Sequence, residues 1–210
     1  MGTPVKPLEQ QSLQARFDHL LAFIGSKRFL KMEGLNNEVP FFICPYPPSE
    51  AVDFERAIGS LAKQLEQSGV SVLEINLYDL CTEMLKERGI WERVLEREPA
   101  ISKPQLRELL QGVLDIETHL IPAIAQRMQA KPFDVLFITG VGEVFPYIRS
   151  HNVLNNLQSK AKEKPTVMFY PGRYAHSLEL GASLDLFGRL HDDNYYRAFN
   201  IYHCEVRERT

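Results

Sequence analysis

Four short apolar runs, separated by helical sequence, constrain what this chain can fold into more tightly than any other feature. Phe41-Phe42-Ile43-Cys44, Val70-Ser71-Val72-Leu73-Glu74-Ile75-Asn76-Leu77, Phe133-Asp134-Val135-Leu136-Phe137-Ile138-Thr139 and Pro165-Thr166-Val167-Met168-Phe169-Tyr170 each have strand length and are rich in β-branched or aromatic residues. Strands that alternate with helices build a mainly parallel sheet, which must be covered on both faces because its strands are apolar on both sides. The expectation is an α/β domain, doubly wound, with helices on both faces. The same alternation suits a degenerate P-loop-NTPase-like fold without a phosphate loop. With 210 residues the chain fits a single such domain, 1–210, able to bury about 70% of its extended surface.

The helical segments carry their own signals. Leu13, Phe17, Leu20, Leu21 and Ile24 recur at helical spacing and predict an N-terminal helix over about 10–25. Ser49 is placed to cap a helix that buries Phe54, Ile58, Leu61 and Leu65 and stops at Ser68-Gly69. Further helices are expected from Asp79 to Arg88, around Trp91, Val94 and Leu95, and from Ser102, whose spacing to Gln105 has the capping-box form. A helix from about Asp115 to Gln129 contains Pro122, which kinks it or marks its real first turn. Pro146 suits the first turn of a helix to about Leu157, and Tyr195 to Tyr202 reads as a final strand. No internal repeat, low-complexity tract or linker is visible.

Charge and cysteine usage narrow the function classes. Lys and Arg total 24 against 27 Asp and Glu, a net charge of −3, so the chain lacks the basic footprint of a general nucleic-acid binder and direct DNA binding is not indicated. Cys44, Cys81 and Cys204 are far apart, odd in number and without a C-x-x-C pair, which argues against a disulfide framework or zinc ribbon and suits a reducing cytoplasm. The first residues lack a signal-peptide pattern, and no apolar run reaches the roughly 18 residues needed to span a bilayer. The expected location is cytoplasmic, with no cofactor and no metal.

In parallel sheets ligands favour the crevice beyond the carboxyl ends of the strands. That rule nominates Cys44 to Pro47, Asn76 to Asp79, Thr139-Gly140-Val141-Gly142-Glu143, and Pro171-Gly172-Arg173-Tyr174-Ala175-His176-Ser177. The segment after Cys44 is proline-rich and has none of the glycines or the Lys-Ser/Thr pair that cradle phosphates. Gly140-Val141-Gly142 opens like a dinucleotide fingerprint, but Phe145 stands where the third glycine belongs, so it reads as a tight strand-to-helix turn. His176-Ser177 lacks a nucleophile elbow, and His191-Asp192-Asp193-Asn194 reads as a polar turn without the remaining ligands of a metal site. Arg149, Asn152 and Asn156 share one helical face and can hydrogen-bond a ligand or a partner's backbone.

Four strings resemble one family: Asn76-Leu77-Tyr78-Asp79-Leu80, Thr139 through Leu157, Pro165 through Gly172, and Ser183 through Phe199. They are similar to the BrxB family of bacteriophage exclusion (BREX) systems, and the resemblance covers nearly the whole chain. It implies a cytoplasmic protein encoded among phage-defence genes that include an AAA+ ATPase, a DNA methyltransferase and the phosphatase-fold protein PglZ. It brings no established catalytic residues. The leading expectation is a non-catalytic accessory or scaffold subunit that binds PglZ, with the AAA+ ATPase and the methyltransferase as further candidate partners. Arg149, Asn152, Arg173, His176, Arg189, Tyr195 and Tyr196 are its contact candidates, because Arg and Tyr join contact area to directional hydrogen bonds. The alternative is a nucleotide- or nucleic-acid-responsive module with its ligand above Thr139 to Glu143 and Arg173. A hydrolase using His176 or Asp185 is the third reading.

Overall fold

The computed structural model of the chain describes residues 6–34, 40–177, 181–192 and 198–206. Along it run α1 (Leu13–Ile24), α2 (Lys27–Leu30), β1 (Phe41–Tyr46), α3 (Ala51–Gln67), β2 (Val72–Asn76), α4 (Leu77–Glu87), α5 (Trp91–Arg97), α6 (Lys103–Val113), α7 (Ile121–Ala130), β3 (Val135–Thr139), α8 (Ser150–Leu157), β4 (Thr166–Ser177), β5 (Gly181–Leu186), β6 (Leu190–Asp192) and β7 (Phe199–Asn200). The main sheet is parallel, in the order β2-β3-β4-β1-β7. Its register runs from Phe41 opposite Thr166 to Tyr46 opposite Pro171, and from Val72 opposite Val135 to Asn76 opposite Thr139. The α/β class with a mainly parallel, doubly covered sheet is what the four runs predicted.

The period-two alternation of the strands divides the interior in two. Phe42, Cys44, Val135, Phe137, Val167 and Phe169 face the core closed by Leu20 and Ile24 of α1, Phe29 of α2, and Phe54, Ile58, Leu61 and Leu65 of α3. Phe41, Ile43, Leu136, Ile138, Met168 and Tyr170 face the other core, closed by Leu80 and Met84 of α4, Ile124 of α7, and Val153, Leu154 and Leu157 of α8. Pro45 is tolerated inside β1 because the β7 ladder reaches only Phe42 and Ile43, so its missing N–H costs no pairing with that neighbour.

Several local expectations need correction. The N-terminal helical region is a 3₁₀ turn at Leu8–Gln10 followed by α1 from Leu13, where Ser12 caps the helix by accepting from Ala15 N at 3.2 Å. Ser49 does not cap α3. It lies within a 3₁₀ turn, Pro48–Glu50, and the helix begins after Glu50 without a side-chain cap. Pro122 does mark the true first turn of α7, and the residues before it form a π-turn, Ile116–Leu120. Pro146 lies in a run of turns, and α8 starts only at Ser150. The fourth run does not end at Pro171-Gly172: β4 continues, leaves the parallel sheet and pairs antiparallel with β5, so Arg173 and His176 are strand residues. His191 and Asp192 stand in β6 rather than in a polar turn; of the expected final strand, residues 195–197 lie outside the described residues, Phe199–Asn200 pairs with β1, and Ile201–His203 form a 3₁₀ turn. The capping box is as expected, with Ser102 and Gln105 each satisfying the other's backbone N–H.

The first strand-to-helix connection holds a buried cation. Arg16 of α1 is 2% exposed, pairs through Nη2 with the Glu50 carboxylate and lies 5.5 Å over the Phe54 ring. Its Nε and Nη1 have no hydrogen-bond partner. Nearby, Cys44 Sγ donates to Tyr202 Oη at 3.3 Å, tying β1 to the C-terminal 3₁₀ turn.

His19 makes the same junction sensitive to pH. It stacks on Phe23 with centroids 5.9 Å apart, and its Nε2 lies 3.1 Å from Ile201 O. Burial holds its pKa below the ordinary imidazole value, partly offset by the bond to Ile201. A base with a depressed folded-state pKa takes up its proton more readily when unfolded. Stability is therefore fully retained above about pH 6.5, the unfolded imidazole value, and falls as the pH drops through the window below it. Thermal unfolding of the wild type and His19→Gln from pH 7.5 to 5.5 should show the wild type losing more than the variant. Parallel losses would remove His19 as the cause.

Candidate functional site

At the carboxyl end of the sheet, Asn76 closes β2 and caps α4, its Oδ1 accepting from Tyr78 N at 2.9 Å and Asp79 N at 3.2 Å. The turn after β3 is pressed against that cap. Gly140 has φ +69°, and a Cβ built on it would stand 2.2 Å from Asn76 Oδ1. Thr139, nearly buried, donates through Oγ1 to Glu74 Oε1 at 3.1 Å. A Cβ on Gly142 would lie 2.9 Å from Pro171 Cγ and 3.0 Å from Phe187 Cε1. The turn after β5 thus packs through Phe187 against the turn after β3 at Gly142.

Three exposed carboxylates, Glu55, Asp79 and Glu143, act on one another at this end. Burial raises the Glu143 pKa, with Glu55 and then Asp79 adding like charge. Burial also pushes up the phenols of Tyr46 and Tyr147, with Glu143 contributing to both. The thiols of Cys44 and Cys81 are each pushed up to about 12, burial being the first cause in both, so neither is a thiolate nucleophile near neutral pH. No group of three or more His, Cys, Asp or Glu among the described residues is placed to hold a metal ion.

A second feature assembles residues that the sequence grouped on one helical face. Arg149 occupies the N-cap position of α8, 5.7 Å over the Phe145 ring, and Asn156 Nδ2 donates to Asn152 O at 2.9 Å. The opposite wall is the π-turn after Asp115. The Asp115 carboxylate accepts from Thr118 N at 2.8 Å and Thr118 Oγ1 at 2.7 Å, and these bonds hold its pKa below the ordinary carboxylate value. Between the walls lies a cleft of about 280 Å³ lined by Gln111, Glu117, Tyr147, Arg149, Asn152 and Asn156, among others.

The remaining contact candidates lie elsewhere. Arg173 is exposed on β4 opposite Asp185, His176 is backbone-paired with Ala182, and Arg189 is exposed in the turn between β5 and β6. Tyr195 and Tyr196 lie outside the described residues. Sequence reasoning nominated Tyr78 only as part of the segment Asn76 to Asp79 and did not single out Phe187; the two are 44% and 39% exposed. The alternation Leu184-Asp185-Leu186 before Phe187-Gly188 is the signal that could have exposed the hairpin and its tip.

No helix among the described residues is long and apolar enough to cross a membrane. The family model for BREX protein BrxB matches residues 73–201. A protein of Bacillus cereus (strain H3081.97) described as BREX protein BrxB is 34% identical over 193 residues, covering 90% of this chain and 97% of the relative. One of the same description from Escherichia coli O9:H4 (strain HS) is 30% identical over 189 residues, covering 90% and 91%. No solved structure matches. With the family model spanning more than half of the chain and both relatives aligning almost end to end, the chain belongs to the BrxB family of BREX phage-defence proteins.

Proposed function

We propose that this chain is a non-catalytic accessory or scaffold subunit of a BREX phage-defence complex that binds the phosphatase-fold protein PglZ, with the AAA+ ATPase as its further partner. The observation that carries this reading is the hairpin folded over the strand ends. An α/β enzyme keeps its reactants in the crevice there, whereas here Gly142 lies beneath Pro171 and Phe187 with no room for a methyl group. At this end of the sheet Tyr78 and Phe187 present exposed aromatic surface, and Glu143 is exposed as well. Aromatic side chains standing out of a polar surround suit protein contact.

The test is co-expression with the PglZ protein of the same system, affinity capture and size-exclusion chromatography at moderate salt. Co-elution at defined stoichiometry is expected. The Tyr78→Ala/Phe187→Ala double variant should weaken capture about tenfold or more, as expected when interface anchors are truncated. Failure of the two folded wild-type proteins to associate would overturn the reading.

A further inference from the structure

We infer that the amino end of the main sheet receives the aromatic carboxyl end of a second copy of this chain, so that copies stack head to tail. The inference is independent of the PglZ reading. Both employ Tyr78 and Phe187, so a stacked copy and PglZ exclude one another at that end.

The receiving surface is a second cleft, of about 500 Å³, formed where the chain enters β2, β3 and β4. That volume falls within the roughly 300–1,000 Å³ usual for binding pockets. Its lining joins the apolar Met128, Pro132 and Phe133 to Lys131, Lys160 and Lys164. Asp134 also lines it, but its carboxylate accepts from Ser71 N at 2.9 Å and lies 3.8 Å from Lys164 Nζ. Lys131 and Lys160 are exposed and have no ion pair among the described residues. Lys162, exposed in the same loop as Lys160, adds a further positive charge. The surface therefore offers apolar contact beside uncompensated cations.

The opposite end of the sheet has the complementary character. Glu55, Asp79 and Glu143 are exposed and likewise have no ion pair among the described residues, whereas Glu50, Asp53, Glu83 and Asp134 each pair with a cation of this chain. Tyr78 is exposed beside Asp79 at the start of α4, and Phe187 is exposed in the turn after β5. Phe187 packs at Gly142, where an added Cβ would lie 3.0 Å from its Cε1, so the ring is positioned before any contact is made. Exposed aromatic side chains are favoured interface anchors. The two faces match in sign as well as polarity: lysines meet carboxylates, and the apolar lining meets the rings. Arg189, two residues after Phe187, and Glu163, in the cleft lining, run against the charge of their own faces, and they too are opposite in sign. A phosphate backbone has no cation to offer Glu163, which favours a second copy over nucleic acid as the occupant.

The contact joins two different surfaces, so every copy in a stack keeps one face of each kind. Because those faces lie at opposite ends of parallel strands, the repeat stays open instead of closing into a dimer. The test is sedimentation velocity of the full chain from micromolar to submillimolar concentration. The average size should rise with concentration without stopping at two copies, and should fall at about 1 M salt, where charges act over only about 3 Å. Tyr78→Ala/Phe187→Ala removes the presenting face and Lys131→Glu/Lys160→Glu reverses the receiving one; each variant should be monomeric where the wild type associates. Mixing the two variants should restore a one-to-one dimer and nothing larger, because each keeps the face that the other has lost. That recovery separates a lost contact from a misfolded chain. A wild type that is monomeric throughout, a closed dimer that neither variant disturbs, or a mixture that stays monomeric would overturn the inference. PglZ capture is measured separately, so its outcome and this one are distinguishable.

Discussion

Glu50→Ala should destabilise the fold by about 3 kcal/mol, more than Arg16→Met, and joining the two substitutions should recover most of the loss. Arg16 is 2% exposed, while the Glu50 side chain is 39% exposed, so the pair is dry on the cationic side and wet on the other. Removing the carboxylate leaves a buried guanidinium whose Nε and Nη1 already lack partners. Breaking a buried pair by deleting one member typically costs about 3–5 kcal/mol, and water reaching Glu50 places this case at the low end. Arg16→Met removes the buried charge together with its unsatisfied donors and keeps a long apolar side chain against Phe54. The remaining Glu50 then turns to solvent. Urea unfolding of the two single variants and the double variant gives the coupling directly. A loss below about 1 kcal/mol for Glu50→Ala would show that the pair behaves as an exposed salt bridge and that water relaxes around Arg16.

Arg16 also shows where sequence reading stops. Its position in α1, one residue before Phe17, was visible, but nothing local says that a charged side chain will be buried, because burial depends on the Pro48–Glu50 turn and the C-terminal 3₁₀ turn arriving from 34 and 186 residues away. The four strands were legible because strands covered on both faces need continuous apolar runs, and that signal is local. Ser102 was legible in the same way, since a cap acts within one helical turn, whereas Asn76 was read as strand and its capping of α4 was missed. The hairpin was not. Pro171-Gly172 looks like a strand end by composition, yet the chain continues because β5 supplies a new antiparallel partner after β1 and β3 have run out.

Of the candidate contacts, Arg149, Asn152 and Asn156 were legible as one helical face, and the structure gives them a second wall in the π-turn. That wall comes from the neighbourhood of Pro122, where the sequence left a choice between a kinked helix and a delayed start. The delayed start is what frees Ile116–Leu120 to form the wall. Arg189 was chosen for residue type alone, and Arg173 for residue type and for a place that the sequence read as a strand end. Residue type says which side chains make good contacts but not which of them share a surface, and these two stand on the hairpin away from the cleft lining.

Gly172→Ala should be the most damaging small substitution in the chain, at about 4 kcal/mol, through loss of the hairpin rather than of any single contact. A Cβ there would stand 2.0 Å from Asp185 O and 2.9 Å from Tyr170 Cε1. The first of these is backbone, so the strands must part. Gly172 pairs with Leu186 at the point where β4 leaves the parallel sheet, and the next bond, Phe187 N donating to Pro171 O at 2.9 Å, holds the tip over Gly142. Separation at that point withdraws Leu184 and Leu186, 0% and 6% exposed, from the core beside Tyr170. Each such side chain is worth about 1.5–3 kcal/mol when buried, so partial exposure of the pair accounts for the expected loss. Gly188→Ala separates this effect from backbone strain, because Gly188 has φ +67° but nothing within 4 Å of the added carbon. It should cost only about 1–2 kcal/mol. Urea unfolding gives both numbers, and limited proteolysis should cut Gly172→Ala within residues 173–192 while sparing Gly188→Ala. Because the same hairpin covers the strand ends, Gly172→Ala should also lose PglZ capture under conditions where Gly188→Ala keeps it. Equal stability of the two alanine variants would mean that β4 and β5 can part without cost, and that the hairpin does not hold the strand ends closed.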